Sequence, residues 1–133
     1  LPEETFAGLR LVRRGRERLA VLPRDLRPPA RPEAQAAGLS FLHAGMRNPK
    51  LTTAAAMAFG AAATRNAVEL DREEVGAYLA RRDQELPAAR TGACTGPGYA
   101  MVRHRGVALG LGWVRPAAGG APSSLGSLFP KRW

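Results

Sequence analysis

The sequence contains a single cysteine, Cys94, and only two lysines among its 20 basic residues. One cysteine excludes an internal disulfide and a zinc site built from several cysteines, and it favours a reducing compartment such as the cytoplasm. The chain also lacks a run of about 18 apolar residues and a hydrophobic signal segment. We therefore expect a cytoplasmic domain without a membrane partner.

Residues that would support catalysis are also scarce. His43 and His104 stand alone in strand-like runs, so a structural or surface role is expected for each, and Cys94 has no neighbouring His or Lys to activate it. The acidic cluster around Asp71 is explained by helix capping. The glycines near residue 110 do not form a GxGxxG loop, because Arg115 stands where the last glycine is needed. No catalytic, metal-binding or cofactor-binding residue is predicted in this chain.

Positive charge is the most prominent property of the sequence. The net charge is +9 and the pI about 11.3, which favours a polyanionic partner such as nucleic acid. Residues 1–32 hold 8 basic and 4 acidic groups, residues 33–97 hold 7 and 7, and residues 98–133 hold 5 and 0. Arginine binds phosphate with a planar fork and stacks on bases, which suits RNA, although GC-rich codons alone would also favour arginine. If the two basic ends were neighbours in one sheet, they would form one positive face.

The hydrophobic pattern predicts a small α+β protein with five or so strands and two helices, folded as a mixed, partly closed β-barrel. The predicted strands are a hairpin within 6–22 that turns at Gly15, a strand within 39–46, and a closing pair at 99–105 and 107–114. Gly110 and Gly112 predict bending of the last strand. Helices are predicted over 52–63, buried on nearly all sides, and from Asp71, where Glu74 completes a capping box. Residues 23–32 form a connector, and residues 116–127, rich in Pro, Ala, Gly and Ser, are expected to be mobile.

The strongest candidates for RNA contacts lie near the C-terminus. Arg103 and Arg105 are expected on one face of a strand, roughly 7 Å apart, where they suit neighbouring phosphates. Arg115, Lys131 and Arg132 are interleaved with aromatic residues, a mixture typical of surfaces that stack bases and bind the backbone. The aromatic residues are Trp113, Phe129 and Trp133, of which the first two are equally explained as barrel core.

Two further basic groups are candidates. Arg13, Arg14 and Arg16 flank the first hairpin turn. Arg47 and Lys50 precede the first helix, where exposed N–H groups also favour phosphate, although a solvated loop pair needs no function.

The order of these signals resembles a known family. The matching stretches are LAVLP at 19–23, GLSFLHAGM at 38–46, an Ala-rich helix, VELDREEVGAYL at 68–79, GYAMVRHRGVALGLGWV at 98–114 and the closing FPKRW. Together they resemble the C-terminal region of bacterial small-subunit rRNA cytosine-C5 methyltransferases of the RsmF type. Gly126-Ser127 replaces the Lys-Asn pair of that family, and an Ala, Gly and Ser insertion precedes it.

The resemblance implies a PUA-like barrel that binds rRNA or the small ribosomal subunit. It implies a first segment at 1–90, with the hairpin, a strand and two helices, and a PUA-like RNA-binding segment at 91–133, packed as one compact, monomeric unit. A catalytic domain that uses S-adenosylmethionine would precede Leu1 and would be this region's second partner. The alternatives are a protein-docking domain that contacts the catalytic domain or ribosomal proteins and, less favoured, a self-contained enzyme. Charge reversal of Arg103 and Arg105 would distinguish RNA binding from protein docking.

Overall fold

The computed structural model describes residues 1–27, 29–32 and 37–131, which form two β-sheets and two α-helices. The predicted α+β class is confirmed, and the second sheet is strongly curled into a half-barrel. Two residues with predicted roles in RNA binding, Arg132 and Trp133, lie outside the described residues. Within the described ranges, no helix has the length and apolar character needed to cross a membrane.

The first sheet is antiparallel and follows the order of the chain. Its strands are β1 (Leu9–Arg14), β2 (Arg18–Pro23), β3 (Leu39–His43) and β4 (Lys50–Leu51). The predicted hairpin is confirmed, with Gly15 in its turn at a φ of 68°. A β-bulge at Leu19 and Ala20 shifts the pairing of β2 with β3, and this shift decides which residues of the sheet share a face.

The inner face of the first sheet is small and aromatic. Val21 and Phe41 are buried there against Ala55. Phe6, at the end of a short 3-10 helix (Glu3–Phe6), and Phe59 close the cluster, with ring centroids 5.5 and 5.9 Å from that of Phe41. The sheet is therefore anchored by a few rings and a helix.

That helix, α1 (Thr53–Phe59), lies between the two sheets. It begins at Thr52, whose hydroxyl accepts a hydrogen bond from the Ala55 N–H and donates one to the Ser40 carbonyl. It is shorter than predicted, because a 3-10 turn follows from Gly60, whose backbone packs closely against Ala108. The prediction of burial on nearly all sides is wrong at Met57, which is 41% exposed.

The second sheet contains the larger core. Its strands are β5 (Ala67–Glu69), β6 (Gln84–Leu86), β7 (Gly98–His104), β8 (Val107–Arg115) and β9 (Ser123–Ser127), in the order β5-β7-β8-β9-β6. Only the β5–β7 pair is parallel. Strands β5 and β6 precede residue 90 and strands β7, β8 and β9 follow it, so the second sheet contains parts of both predicted segments. The strands formed by the two basic ends of the chain, 1–32 and 98–133, lie in different sheets. The predicted bending is confirmed by a bulge at Val102 and Arg103, opposite Gly110, whose φ is 148°.

The second helix, α2 (Arg72–Leu79), covers one face of this sheet. The predicted capping box is confirmed: Asp71 accepts from the N–H of Glu74, whose side chain accepts from the N–H of Asp71. Tyr78 is fully buried and donates its hydroxyl hydrogen to the Leu111 carbonyl at 2.9 Å. The helix is thus fixed to the sheet by both packing and a buried hydrogen bond.

The expectation that residues 116–127 are mobile is wrong for 123–127. Residues Ser123–Ser127 form β9, which pairs with both β6 and β8. Ser123 and Leu125 are completely buried, and the Ser123 hydroxyl lies 2.8 Å from that of Thr91. The small residues of this segment fit between two strands, so the composition that suggested mobility reflects close packing instead.

Candidate nucleic-acid interface

A row of basic side chains crosses the first sheet. Arg14 pairs with Arg18, Arg18 pairs with His43, and His43 pairs with Lys50, one residue from each of the four strands. Directly paired residues point to the same face about 5 Å apart, so three steps give a row about 15 Å long. Arg14 and Arg18 are exposed, and His43 and Lys50 are half-buried. The row lies on the face opposite the aromatic cluster of Val21 and Phe41.

No member of the row forms an ion pair with a carboxylate of the described residues. Like charges placed directly opposite each other in a sheet destabilise it. Among the described residues, the ion pairs join Arg90 to Asp71 and Glu74, and Arg103 to Glu69, all at the second sheet. Arg14 and Arg18 thus face each other without an ion pair to either, with Glu17 as the neighbouring carboxylate beside Gly45, and an anionic partner would relieve their repulsion.

The row continues onto aromatic side chains of the second sheet. The Lys50 Nζ lies 5.8 Å from the centroid of the Tyr99 ring, within the range of a cation–π contact. Tyr99 is paired with Trp113, and the two rings meet edge to face, with centroids 4.9 Å apart. Both are half-buried, and on the neighbouring strand the residue opposite Trp113 is Gly126, which has no side chain to cover the indole.

Arg115 completes this surface. It follows Trp113 by two residues along β8, so it points to the same face, about 7 Å further on, and it is exposed. We call the combined surface the cross-sheet track. Its members are Arg14, Arg18, His43, Lys50, Tyr99, Trp113 and Arg115.

Arg103 is directed into the protein. Its Nη1 donates to the carbonyls of Ala61 and Ala63, at 3.2 and 3.1 Å, and its Nε lies 3.4 Å from a Glu69 carboxylate oxygen. The side chain is only 22% exposed. This guanidinium joins the turn after α1 to the second sheet.

The expectation that Arg103 and Arg105 share one strand face is wrong. Strand β7 ends at His104, and Arg105 lies in the following turn with a φ of 50°. The turn is held by the Gly106 N–H, which donates to the Glu69 carboxylate at 3.0 Å. The bulge at Val102 and Arg103 further changes the alternation of side chains that the prediction assumed.

Arg105 is also distant from the track. Tyr99 lies near the beginning of β7 and Arg105 follows its end, six residues later, or about 20 Å along an extended strand. Arg115 lies at the Tyr99 end of the hairpin. The structure thus places Arg115 with the track and Arg105 at the opposite end of the second sheet.

The remaining candidates are distributed over the surface. Arg13, Arg14 and Arg16 lie at the first hairpin turn, where Arg13 donates to the Arg16 carbonyl at 2.9 Å. Arg47 is in an exposed loop. Lys50 belongs to β4, and Thr52 caps the helix at the position where a phosphate was expected.

Phe129 anchors the segment that follows β9 to the core of the second sheet. This ring packs against the core of the second sheet and meets Tyr78 at a centroid distance of 5.6 Å. Arg81 donates to the Phe129 carbonyl at 2.9 Å. Lys131 is exposed beyond it. Phe129 is therefore a core residue, which was one of its two interpretations from the sequence, the other being a ring that stacks on bases.

Two titratable groups of the second sheet and its neighbouring segments have raised pKa values. Burial raises the pKa of Tyr78, whose hydroxyl is bonded to a carbonyl, and burial also raises the pKa of the Cys94 thiol. Both groups are kept protonated, which disfavours action as a base or a nucleophile. His104 is bonded through Nδ1 to the Leu70 carbonyl at 2.7 Å, which fits the expected structural role. In the described ranges, no three His, Cys, Asp or Glu residues come together in a way that could hold a metal ion.

Sequence reasoning missed Arg18 and Tyr99 as members of the site and gave His43 only a structural or surface role. The signal for Arg18 was present, because a hairpin that turns at residues 15–17 places it opposite Arg14. Likewise, a turn at Gly106 places Tyr99 close to Trp113. Comparison of the chain with family models, with curated proteins and with solved structures finds no match.

Proposed function

We propose that this chain is a PUA-like RNA-binding module that holds rRNA along the cross-sheet track. In this proposal it positions the RNA for a cytosine-C5 methyltransferase domain that uses S-adenosylmethionine and lies elsewhere, in the cytoplasm. The observation that carries the proposal is the row from Arg14 to Lys50, which forms no ion pair with carboxylates of the described chain and leads to Tyr99 and Trp113.

The chemistry of the track suits RNA. Guanidinium groups bind phosphate oxygens through paired N–H donors, so Arg14 and Arg18 would contact neighbouring phosphates. Half-buried aromatic rings offer a face or an edge to bases that leave the stack, which is how proteins commonly recognise unpaired RNA. A row of cations that leads to aromatic side chains therefore fits a strand of RNA better than it fits a compact anion.

The methyltransferase part of the proposal, like the PUA-like assignment, depends on the order of sequence motifs, and the small α+β fold with a curled half-barrel sheet is compatible with it. Burial raises the pKa of Cys94, the one cysteine of the sequence, which disfavours its action as the catalytic nucleophile. The methyl transfer is accordingly assigned to another domain, and this module contributes binding and orientation of the substrate.

Charge reversal tests the proposal. The variant Arg14→Glu/Arg18→Glu should bind an rRNA fragment about 100-fold more weakly, because two charged contacts of about 1.4 kcal/mol each are lost. The control is Arg72→Glu/Arg82→Glu, exposed positions at the two ends of α2, which packs on the face of the second sheet opposite Tyr99 and Trp113. Both variants change the net charge by the same four units. Equal losses in the two variants would contradict binding by the track.

Protein docking is the second candidate, favoured by the edge strand β1. Its side chains Leu11 and Val12 are 59% and 38% exposed, and its free edge could pair with a strand of a partner. Under this function, the Arg14→Glu/Arg18→Glu variant would keep its RNA affinity. The same titration therefore decides between the two functions.

A further inference from the structure

A cleft lies between the two sheets, next to the track. Its volume is about 420 Å³, within the usual range of small-ligand sites of about 300 to 1,000 Å³. Leu11 and Phe41 of the first sheet form one wall, and Met101 and Leu111 of the second sheet form the other. Tyr99 belongs both to the lining of the cleft and to the track. The row lies on the face of the first sheet opposite Leu11 and Phe41, so the track and the cleft meet at Tyr99.

The polar groups of the cleft are cationic or neutral. Arg65 is an exposed lining residue, and no Asp or Glu is among the lining residues. The position of Arg65 is fixed by its neighbour Asn66, which donates its N–H to the Ala93 carbonyl and accepts from the Met101 N–H at 2.7 Å. Lys50 lies at the Tyr99 ring. The cleft therefore combines apolar walls with a positive entrance.

The charge and shape together define the ligand. An apolar cleft of this volume suits a flat, largely apolar group, and the cations at its entrance suit an anion attached to that group. We propose that the cleft binds a single unpaired RNA nucleotide, with its base between Leu11, Phe41 and Tyr99 and its phosphate near Lys50 and Arg65. The inference deepens the proposed function and rests on it, since the track would deliver the nucleotide.

A pair of RNA hairpins provides the test. The two are identical except that one carries a single bulged 2-aminopurine nucleotide. The protein should bind the bulged hairpin about 10-fold more tightly, as expected for one stacked base, and the fluorescence of 2-aminopurine should be quenched. The affinity for the fully paired hairpin reports on the track alone.

Two variants localise the effect. Leu11→Trp fills the cleft from an exposed position, and it should abolish the preference for the bulge and the quenching while the affinity for the paired hairpin stays the same. Leu79→Trp is the control, because Leu79 is similarly exposed on α2 and is not part of the cleft. Arg65→Gln, in a loop position that tolerates a neutral side chain, should reduce the preference for the bulged hairpin. This variant provides an independent test if Leu11→Trp fails to fold.

The possible outcomes separate the two proposals. Equal affinity for the two hairpins, or a bulge preference that survives in both Leu11→Trp and Arg65→Gln, overturns the nucleotide cleft and leaves the track intact. Failure to bind either hairpin overturns the proposed function together with this inference. Preference and quenching that disappear in Leu11→Trp but persist in Leu79→Trp establish the cleft as the site.

Discussion

At the second sheet, Arg103 and Arg90 form ion pairs with carboxylates, whereas Arg14 and Arg18 of the first sheet are exposed and form no ion pair in the described part of the chain. Arg103 contacts two carbonyls and Glu69, and Arg90 pairs with Asp71 and Glu74. Arg14 and Arg18 instead face each other across β1 and β2. The comparison shows that the sequence around an arginine does not reveal whether its side chain stabilises the fold or remains available to a partner.

The two sheets also differ in their cores. The second sheet buries a cluster of large side chains, among them Tyr78, Leu86 and Leu125, each with no exposed surface. The first sheet buries fewer and smaller side chains: Val21 and Phe41 lie against Ala55 of α1, and Ala20 and Leu22 are also buried. We infer that the second sheet supplies most of the stability and that the first sheet presents the charged surface.

The largest expected effect compares one leucine from each sheet. Leu125→Ala should lower the free energy of unfolding by about 3 kcal/mol or more, because it leaves a cavity in the larger core. Leu11→Ala should lower it by less than about 1 kcal/mol, because Leu11 is 59% exposed. Denaturant unfolding of both variants measures the difference, and similar losses would refute the assignment of stability to the second sheet.

The next prediction separates two arginines that were expected to act together. Arg103→Met should lower the free energy of unfolding by about 3 kcal/mol, because two carbonyls lose a charged donor and the Glu69 carboxylate loses its ion-pair partner. Arg105→Met, in the exposed turn, should change it by less than about 0.5 kcal/mol. Thermal melts measure both. An Arg103→Met variant that is as stable as wild type but unable to bind RNA would show that this guanidinium serves binding instead.

The smallest expected effect concerns repulsion within the row. Arg18→Thr should raise the free energy of unfolding by about 0.5 kcal/mol at low salt, because it removes a like-charge pair and introduces a residue that favours strands. The gain should shrink as salt screens the remaining charges. Unfolding of Arg18→Thr and of the exposed control Arg24→Thr at two salt concentrations measures it. A loss of stability would mean that Arg18 makes a favourable contact in the fold.

Local signals in the sequence were sufficient for the elements that carry strong periodicity or capping. The first hairpin, the strand within 39–46, the helix from Asp71 and the closing hairpin are all present. The short strands β5 and β6 were missed, because three residues show no period. Strand β9 was missed because its Gly and Ser residues are typical of loops. These residues form a strand here because β9 pairs with β6 on one side and β8 on the other.

The site was predicted less well, for a physical reason. Arg14, Lys50 and Arg115 were identified from charge, but their association depends on the register between strands distant in the chain. The bulge at Leu19 and Ala20 sets that register, and the sequence contains no clear sign of it. The inward direction of Arg103 depends on carbonyls of Ala61 and Ala63, about 40 residues earlier, which no local pattern indicates.

The most direct test of the track is the salt dependence of RNA binding. Four permanent cations, Arg14, Arg18, Lys50 and Arg115, predict a slope of log K against log salt of about −3 for single-stranded RNA. Arg14→Gln/Arg18→Gln should reduce the slope to about −1.4, because two contacts remain, whereas Arg72→Gln/Arg82→Gln should leave it near −3. Slopes that are equal in the two variants, or binding insensitive to salt, would contradict the account.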